Sequence, residues 1–212
     1  LLAHINNGLS VAYVSEAGTP LIADPGYQLV CDARESKLTV LAAPGPSACI
    51  TALTVAGLPT NQFHFVGFLP PQQTARQKKL TELLPLNATL VLYESPKRLK
   101  ALLSDIGTIV ENNRQVAVCR ELTKKFEEVK VGTPSELLEH FELKAAKGEI
   151  VVLIEPGGSA EIDQSDLEAA LLEAMDTLRI KDAADAVAGA FSMPRREIYQ
   201  LALQLKKDGL TP

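Results

Sequence analysis

Apolar residues along this chain recur in short runs separated by small or polar clusters, and the runs alternate between two periods. Residues 9–14 (LSVAYV) and 38–43 (LTVLAA) are compact, β-branched runs that read as buried strands. Each ends in a corner with almost no side-chain bulk, Ala17-Gly18-Thr19-Pro20 after the first and Pro44-Gly45-Pro46-Ser47-Ala48 after the second. A capped helix should follow each corner. Asp24 is the expected N-cap and Pro25 the first helical residue of one, and Ser47 the N-cap of a helix running to Ala56. Residues 1–7 read as a short helix closed by Gly8. Strand, small-residue loop, then capped helix is the build that exposes bare backbone to a ligand at one edge of an α/β sheet. A plain strand-to-helix turn is the competing reading of either corner alone.

Further on, residues 61–68, 88–93, 115–120, 128–132 and 149–155 predict five more strands. Helices are expected over 74–84, from Pro96 after a Ser95 cap, and from Pro134 within the Thr133-Pro134-Ser135-Glu136 capping box. The short link between 115–120 and 128–132 implies an antiparallel pair, so the sheet should be mixed. Residues 156–160 (PGGSA) read as a linker. After it, Ser165 and Glu168 propose another capping box, and helices over 181–191 and 194–206, joined at Ser192-Met193, look like a helix-turn-helix. A small bundle bracing the core is an equal reading of that tail.

Composition changes little in this picture. The chain has 212 residues, 46% hydrophobic and 22% charged, an ordinary globular balance. Its net charge of -5 leaves any contact with a polyanion to a local patch. One candidate is the segment 72–100, which holds six Lys or Arg against two Glu. Its Arg76, Lys78, Lys79, Lys97 and Arg98 are the candidate phosphate-facing residues of a nucleic-acid contact, and a solvated helix face is the bland alternative. Cys31, Cys49 and Cys119 are dispersed in apolar surroundings and read as reduced thiols. With the scattered His4, His64 and His140 they give no metal-ligand spacing, so no metal is expected. No apolar run reaches the ~18 residues of a membrane span.

The stretch Ser15 to Gly26 (SEAGTPLIADPG) and Pro44-Gly45-Pro46-Ser47-Ala48 resemble the tetrapyrrole methylases, the class III S-adenosylmethionine enzymes. Phe68-Leu69-Pro70, Tyr93-Glu94-Ser95-Pro96-Lys97-Arg98-Leu99 and Arg120-Glu121-Leu122-Thr123-Lys124-Lys125-Phe126-Glu127 narrow the resemblance to the branch that methylates small-subunit ribosomal RNA. The resemblance implies an α/β fold: two α/β/α domains, the first incomplete here, and a small helical C-terminal domain. The boundaries that follow are 1–58, 59–157 and 158–212.

It further implies S-adenosylmethionine as cofactor, bound by Ala17, Gly18, Thr19, Pro20, Pro46, Ser47, Ala48, Tyr93 and Leu122. The expected reaction is 2′-O-methylation of a cytidine, with small-subunit RNA, free or in the 30S particle, as partner. A homodimer working in the cytoplasm is expected. The family's first strand and its Pro-Ile-Gly-Asn-Leu loop are not found in the sequence, which reads as N-terminally shortened, with weak cofactor binding as the expected cost.

A ribose hydroxyl needs a proton acceptor, and Glu121, Lys124, Glu127 and Glu94 are the candidate catalytic residues. The missing G-x-G-x-x-G loop argues against Rossmann-type cofactor sites. Three rival functions remain open: a corrinoid or other tetrapyrrole methylase, a protein methylase of the same fold, and a non-catalytic cofactor-binding fragment.

Overall fold

The computed structural model describes residues 1–110, 113–157, 164–191 and 193–207, and falls into two compact units, Leu1–Gly157 and Gly158–Pro212. The first unit is built on one five-stranded sheet. Its strands are β1 (Phe63–Phe68), β2 (Thr89–Glu94), β3 (Val116–Arg120), β4 (Glu128–Gly132) and β5 (Ile150–Ile154), in the order β1-β2-β5-β3-β4. β1 and β2 are parallel, whereas β5 runs antiparallel to both β2 and β3, and β4 antiparallel to β3. The sheet is therefore mixed, as the short 120–128 connection requires.

Both faces of the central strands are covered, which is why they read as unbroken apolar runs. Leu90, Leu92, Val116, Val118, Val152 and Ile154 face one cluster, with side chains from α4 (Gln73–Leu83), α5 (Leu99–Ile109) and α6 (Pro134–Leu143). Val91, Ala117, Cys119, Val151 and Leu153 face the other, with Cys49, Ala52 and Leu53 of α3 (Ala48–Val55). The layers are helix, sheet, helix. Burial pushes the Cys119 thiol up to about 12, so it stays a neutral core group. Gly67 has a φ of 71° beside a register shift in the β1–β2 ladder, a bulge that a side chain would oppose.

Three expectations for the first third are corrected. Residues 9–14 and 38–43 form no strand. A strand persists only when its backbone groups find a ladder partner; neither run pairs with the five-stranded sheet or with the other, and Val14 and Leu41 stand exposed. The helix expected from Pro25 begins later, as α2 (Tyr27–Glu35), with Gly26 rather than Asp24 at the N-cap. Gly26 has a φ of 123° and lies against the Tyr13 ring, where a Cβ would sit 2.8 Å from Cε1. α1 (Leu2–Asn6) and Gly8, at φ 84°, match the expected short helix and its stop. The helix expected from Pro96 begins at Leu99, after a turn in which Ser95 O accepts from the Arg98 and Leu99 amides.

The second unit holds α7 (Gln164–Thr177), α8 (Ile180–Ala190) and α9 (Arg195–Lys207) around Leu167, Leu171, Ala184, Val187, Ile198 and Ala202. The proposed Ser165 cap, the linker from Gly158 onward and Ser192 lie outside the described residues or side chains. Among the described residues no helix is long and apolar enough to cross a membrane.

Candidate active site at one edge of the sheet

The strand directions bring the chemistry-bearing stretches to one edge. Register pairs Phe68 with Tyr93, Glu94 with Ile150, Ile150 with Arg120, and Arg120 with Glu128. The loops after β1, β2 and β3, and the turn before β5, therefore leave the sheet side by side. This is the carboxyl edge of the parallel strands, where α/β proteins bind ligands.

The two small-residue corners meet each other. Thr19 Oγ1 donates to Pro46 O at 2.9 Å, across 27 residues of chain. A Cβ on Gly18, whose φ is 70°, would stand 3.7 Å from the same oxygen. Ala17, Gly18, Pro46 and Ala48 are exposed, while Thr19, Pro20 and Ser47 are half-buried. α3 starts at this junction without a side-chain cap from Ser47. Instead the Cys49 amide donates to the Tyr93 hydroxyl at 3.2 Å, linking the second corner to the end of β2. Tyr93 is held edge-on by Phe65 and Phe68, with centroids 5.1 and 5.8 Å away, and burial raises its hydroxyl pKa. Leu122 packs half-buried against the same cluster.

Backbone strain collects around this edge. Leu21 (φ 72°) and Ala23 (φ 55°) follow the first corner, and Glu121 (φ 50°) and Thr123 (φ 65°) follow β3. Non-glycine residues in this region cost of order 1–3 kcal/mol each and persist where surrounding structure holds them, a pattern common at functional sites.

The four candidate catalytic side chains stand in different environments. Glu94 is 4% exposed; its Oε1 accepts from the Ser95 amide, and its Oε2 lies 3.2 Å from Arg98 Nη2. Glu121 Oε1 accepts from the Glu149 amide and from Lys124 Nζ, both at 3.0 Å. Those contacts, the amide foremost, hold its carboxyl below the usual range. Lys124 bridges Glu149 and Glu121, which raises its own pKa, so both members of the pair remain charged at neutral pH. Glu127 is exposed and accepts from the Thr123 amide through Oε2, the one bond to its carboxylate among the described residues.

Two of the five candidate RNA contacts are engaged inside the protein. Arg76 is 4% exposed and pairs with Asp105 through Nε at 2.6 Å, and its Nη1 donates to Pro71 O. Gln73 and Gln77 also donate to Asp105, so Arg76 belongs to a buried polar network rather than to the surface patch expected of it. Arg98 donates to Leu69 O and Pro70 O and pairs with Glu94, tying the ends of β1 and β2 together. A composition count saw the charge of both but not its direction. Lys78, Lys79 and Lys97 are exposed, Lys79 beside Glu82. Lys100, also exposed, and Lys125, whose Nζ lies 5.6 Å from the centre of the Phe126 ring, join them. Among the described residues no group of three or more His, Cys, Asp or Glu could hold a metal ion.

The helix-sheet-helix unit has the fold of the tetrapyrrole methylases. The family description "Tetrapyrrole (Corrin/Porphyrin) Methylases" matches residues 1–138. The methyltransferase CobJ shares the fold, with a TM-score of 0.54 and 19% identity over 73% of this chain and 68% of that one. Relatives titled "Ribosomal RNA small subunit methyltransferase I" align over nearly the full chain. The one from Mesorhizobium japonicum is 39% identical over 97% of this chain and 70% of its own length, and that from Mycobacterium tuberculosis (strain CDC 1551) 41% over 98% and 73%. Residues 161–206 match the RsmI C-terminal HTH domain. The chain belongs to the ribosomal RNA small subunit methyltransferase I family.

Proposed function

We propose that this chain transfers a methyl group from S-adenosylmethionine to the ribose 2′-oxygen of a cytidine in small-subunit ribosomal RNA. The observation that carries the reading is the meeting of both corners, through Thr19–Pro46 and Cys49–Tyr93, at the carboxyl edge of the sheet. The cofactor would supply a methyl group on a sulfonium sulfur that departs as a neutral thioether, so the protein's task is mainly to align donor and acceptor. Ala17, Gly18, Thr19, Pro20, Pro46, Ser47 and Ala48 present backbone with little side chain in the way. The open start of α3, where the Ala48 amide has no partner among the described residues, suits the cofactor's carboxylate. Leu122 offers an apolar wall, and Tyr93 holds the second corner in place.

For the proton of the 2′-hydroxyl, Glu127 is the best-suited candidate, because its Oε1 has no partner among the described residues. Glu121 and Lys124 neutralise each other, and Glu94 is engaged with Arg98. Lys78, Lys79, Lys97, Lys100 and Lys125 supply phosphate contacts; Arg76 and Arg98 act as internal braces. We further propose that the boundary between the first two domains falls near residue 58, and that the chain works as a homodimer in the cytoplasm, with the assembled 30S particle as acceptor.

Incubation of the chain with methyl-labelled S-adenosylmethionine and small ribosomal subunits lacking the modification tests this. Label in a cytidine ribose is the expected result. Label only in a tetrapyrrole or a protein acceptor would refute the RNA reading, and cofactor binding with no transfer to any acceptor would leave a non-catalytic binding module.

A further inference from the structure

The loop 121–127 contains two acidic and two basic side chains, Glu121, Glu127, Lys124 and Lys125, yet its outward surface is not neutral in chemistry. Glu121 is turned in to the Glu149 amide and Lys124, and one oxygen of Glu127 to the Thr123 amide. Glu128, where β4 begins, is engaged by Arg120 and Lys144. Lys125 and Phe126 face solvent at the tip, beside the exposed Glu127, whose Oε1 has no partner among the described residues. Phe126 is 65% exposed, with the Lys125 ammonium over its ring. An apolar ring left in water beside a cation with no ion-pair partner among the described residues, on a loop where the Glu121 carboxylate and one Glu127 oxygen are engaged internally, matches what single-stranded nucleic acid needs. A flat face stacks on a base while a cation meets the adjoining phosphate. The left-handed φ of Glu121 and Thr123 is held by the contacts of Glu121 with the Glu149 amide and Lys124 and of the Thr123 amide with Glu127.

We infer that Phe126 is the stacking platform for an unpaired base of the substrate RNA, with Lys125 on the neighbouring phosphate. This rests on the RNA reading of the same site and adds the element that grips the strand. Because Phe126 directly precedes Glu127, a base stacked there sets the nearby ribose beside the proposed proton acceptor. The substrate is then a loop or single strand, since a base within a duplex cannot offer its face to a protein ring.

The chain contains no tryptophan, so Phe126→Trp introduces a single fluorescent reporter. Its emission should be quenched on titration with a single-stranded, cytidine-containing oligoribonucleotide and with small ribosomal subunits. Phe126→Ala should raise KM for RNA about tenfold and leave KM for S-adenosylmethionine unchanged, and Phe126→Trp should restore the RNA value. Unquenched emission, or an alanine variant with wild-type KM for RNA, overturns the inference while methylation by the wild type leaves the reading of function intact. A wild-type chain that binds no RNA overturns both. A Phe126→Ala variant whose only change is a smaller sedimenting species would assign the ring to self-association and equally overturn it.

Discussion

Single residues at the sheet edge carry distinguishable burdens. Tyr93→Phe keeps the aromatic packing with Phe65 and Phe68 but removes the oxygen that accepts from the Cys49 amide. A hydrogen bond of this kind contributes about 1 kcal/mol. The variant should lose about that much stability in urea and show a severalfold higher KM for S-adenosylmethionine with unchanged KM for RNA; equal shifts in both would contradict a role through α3. Glu127→Gln should lower kcat by about 10²-fold or more, the usual range for a proton acceptor, with KM values preserved. A variant with wild-type single-turnover rates would remove Glu127 from the mechanism. Arg76→Ala leaves Asp105 buried without its cation, a change worth about 3 kcal/mol or more. Its activity deficit should disappear at temperatures where the variant is still folded, which an RNA-contacting arginine would not allow.

At the scale of elements, the sequence was most readable where one rule acted alone. The Thr133–Glu136 capping box is present with both reciprocal bonds, because its signal is local and depends on no other part of the chain. Thr133→Ala should cost about 1 kcal/mol, read as a shifted denaturation midpoint. The five strands of the sheet lie within two residues of the expected ranges, since apolar runs covered on both faces leave little ambiguity. The runs at 9–14 and 38–43 carry the same pattern and form no strand, because pairing is not a property of a run but of its neighbours.

Site residues were legible as types and not as orientations. Small corners were visible as composition, whereas the hydrogen bonds joining Thr19 to Pro46 and Cys49 to Tyr93 span 27 and 44 residues and leave no local trace. Glu128 shows the same at the charge level: held below its usual pKa first by Arg120 and then by Lys144, it stabilises the β3–β4 hairpin above pH 4.5 and loses that contribution as pH falls through its depressed folded value. Wild type should therefore lose more stability between pH 7 and pH 3.5 than Glu128→Gln, by chemical denaturation at each pH.

For the whole molecule, the net charge of -5 means that RNA affinity must come from few contacts. If Lys78, Lys79, Lys97, Lys100 and Lys125 each meet one phosphate, log K should fall against log salt with a slope of about -3.5, at roughly 0.7 per phosphate on a single strand. A slope several times steeper would require phosphate contacts beyond these five lysines. The cofactor corners all lie in the unit Leu1–Gly157, so a chain ending at Gly157 should keep its cofactor affinity by calorimetry.

The order of the sheet has a consequence for how the protein is made. β5 is the last strand of its unit to be synthesised, yet it lies between β2 and β3, which do not touch each other without it, and all five of its residues are buried. Until Ile150–Ile154 leaves the ribosome, the emerging polypeptide can hold only two disconnected strand pairs. The unit must then close in one late, cooperative event, and a nascent chain stalled before residue 150 should be digested by protease like an unfolded one.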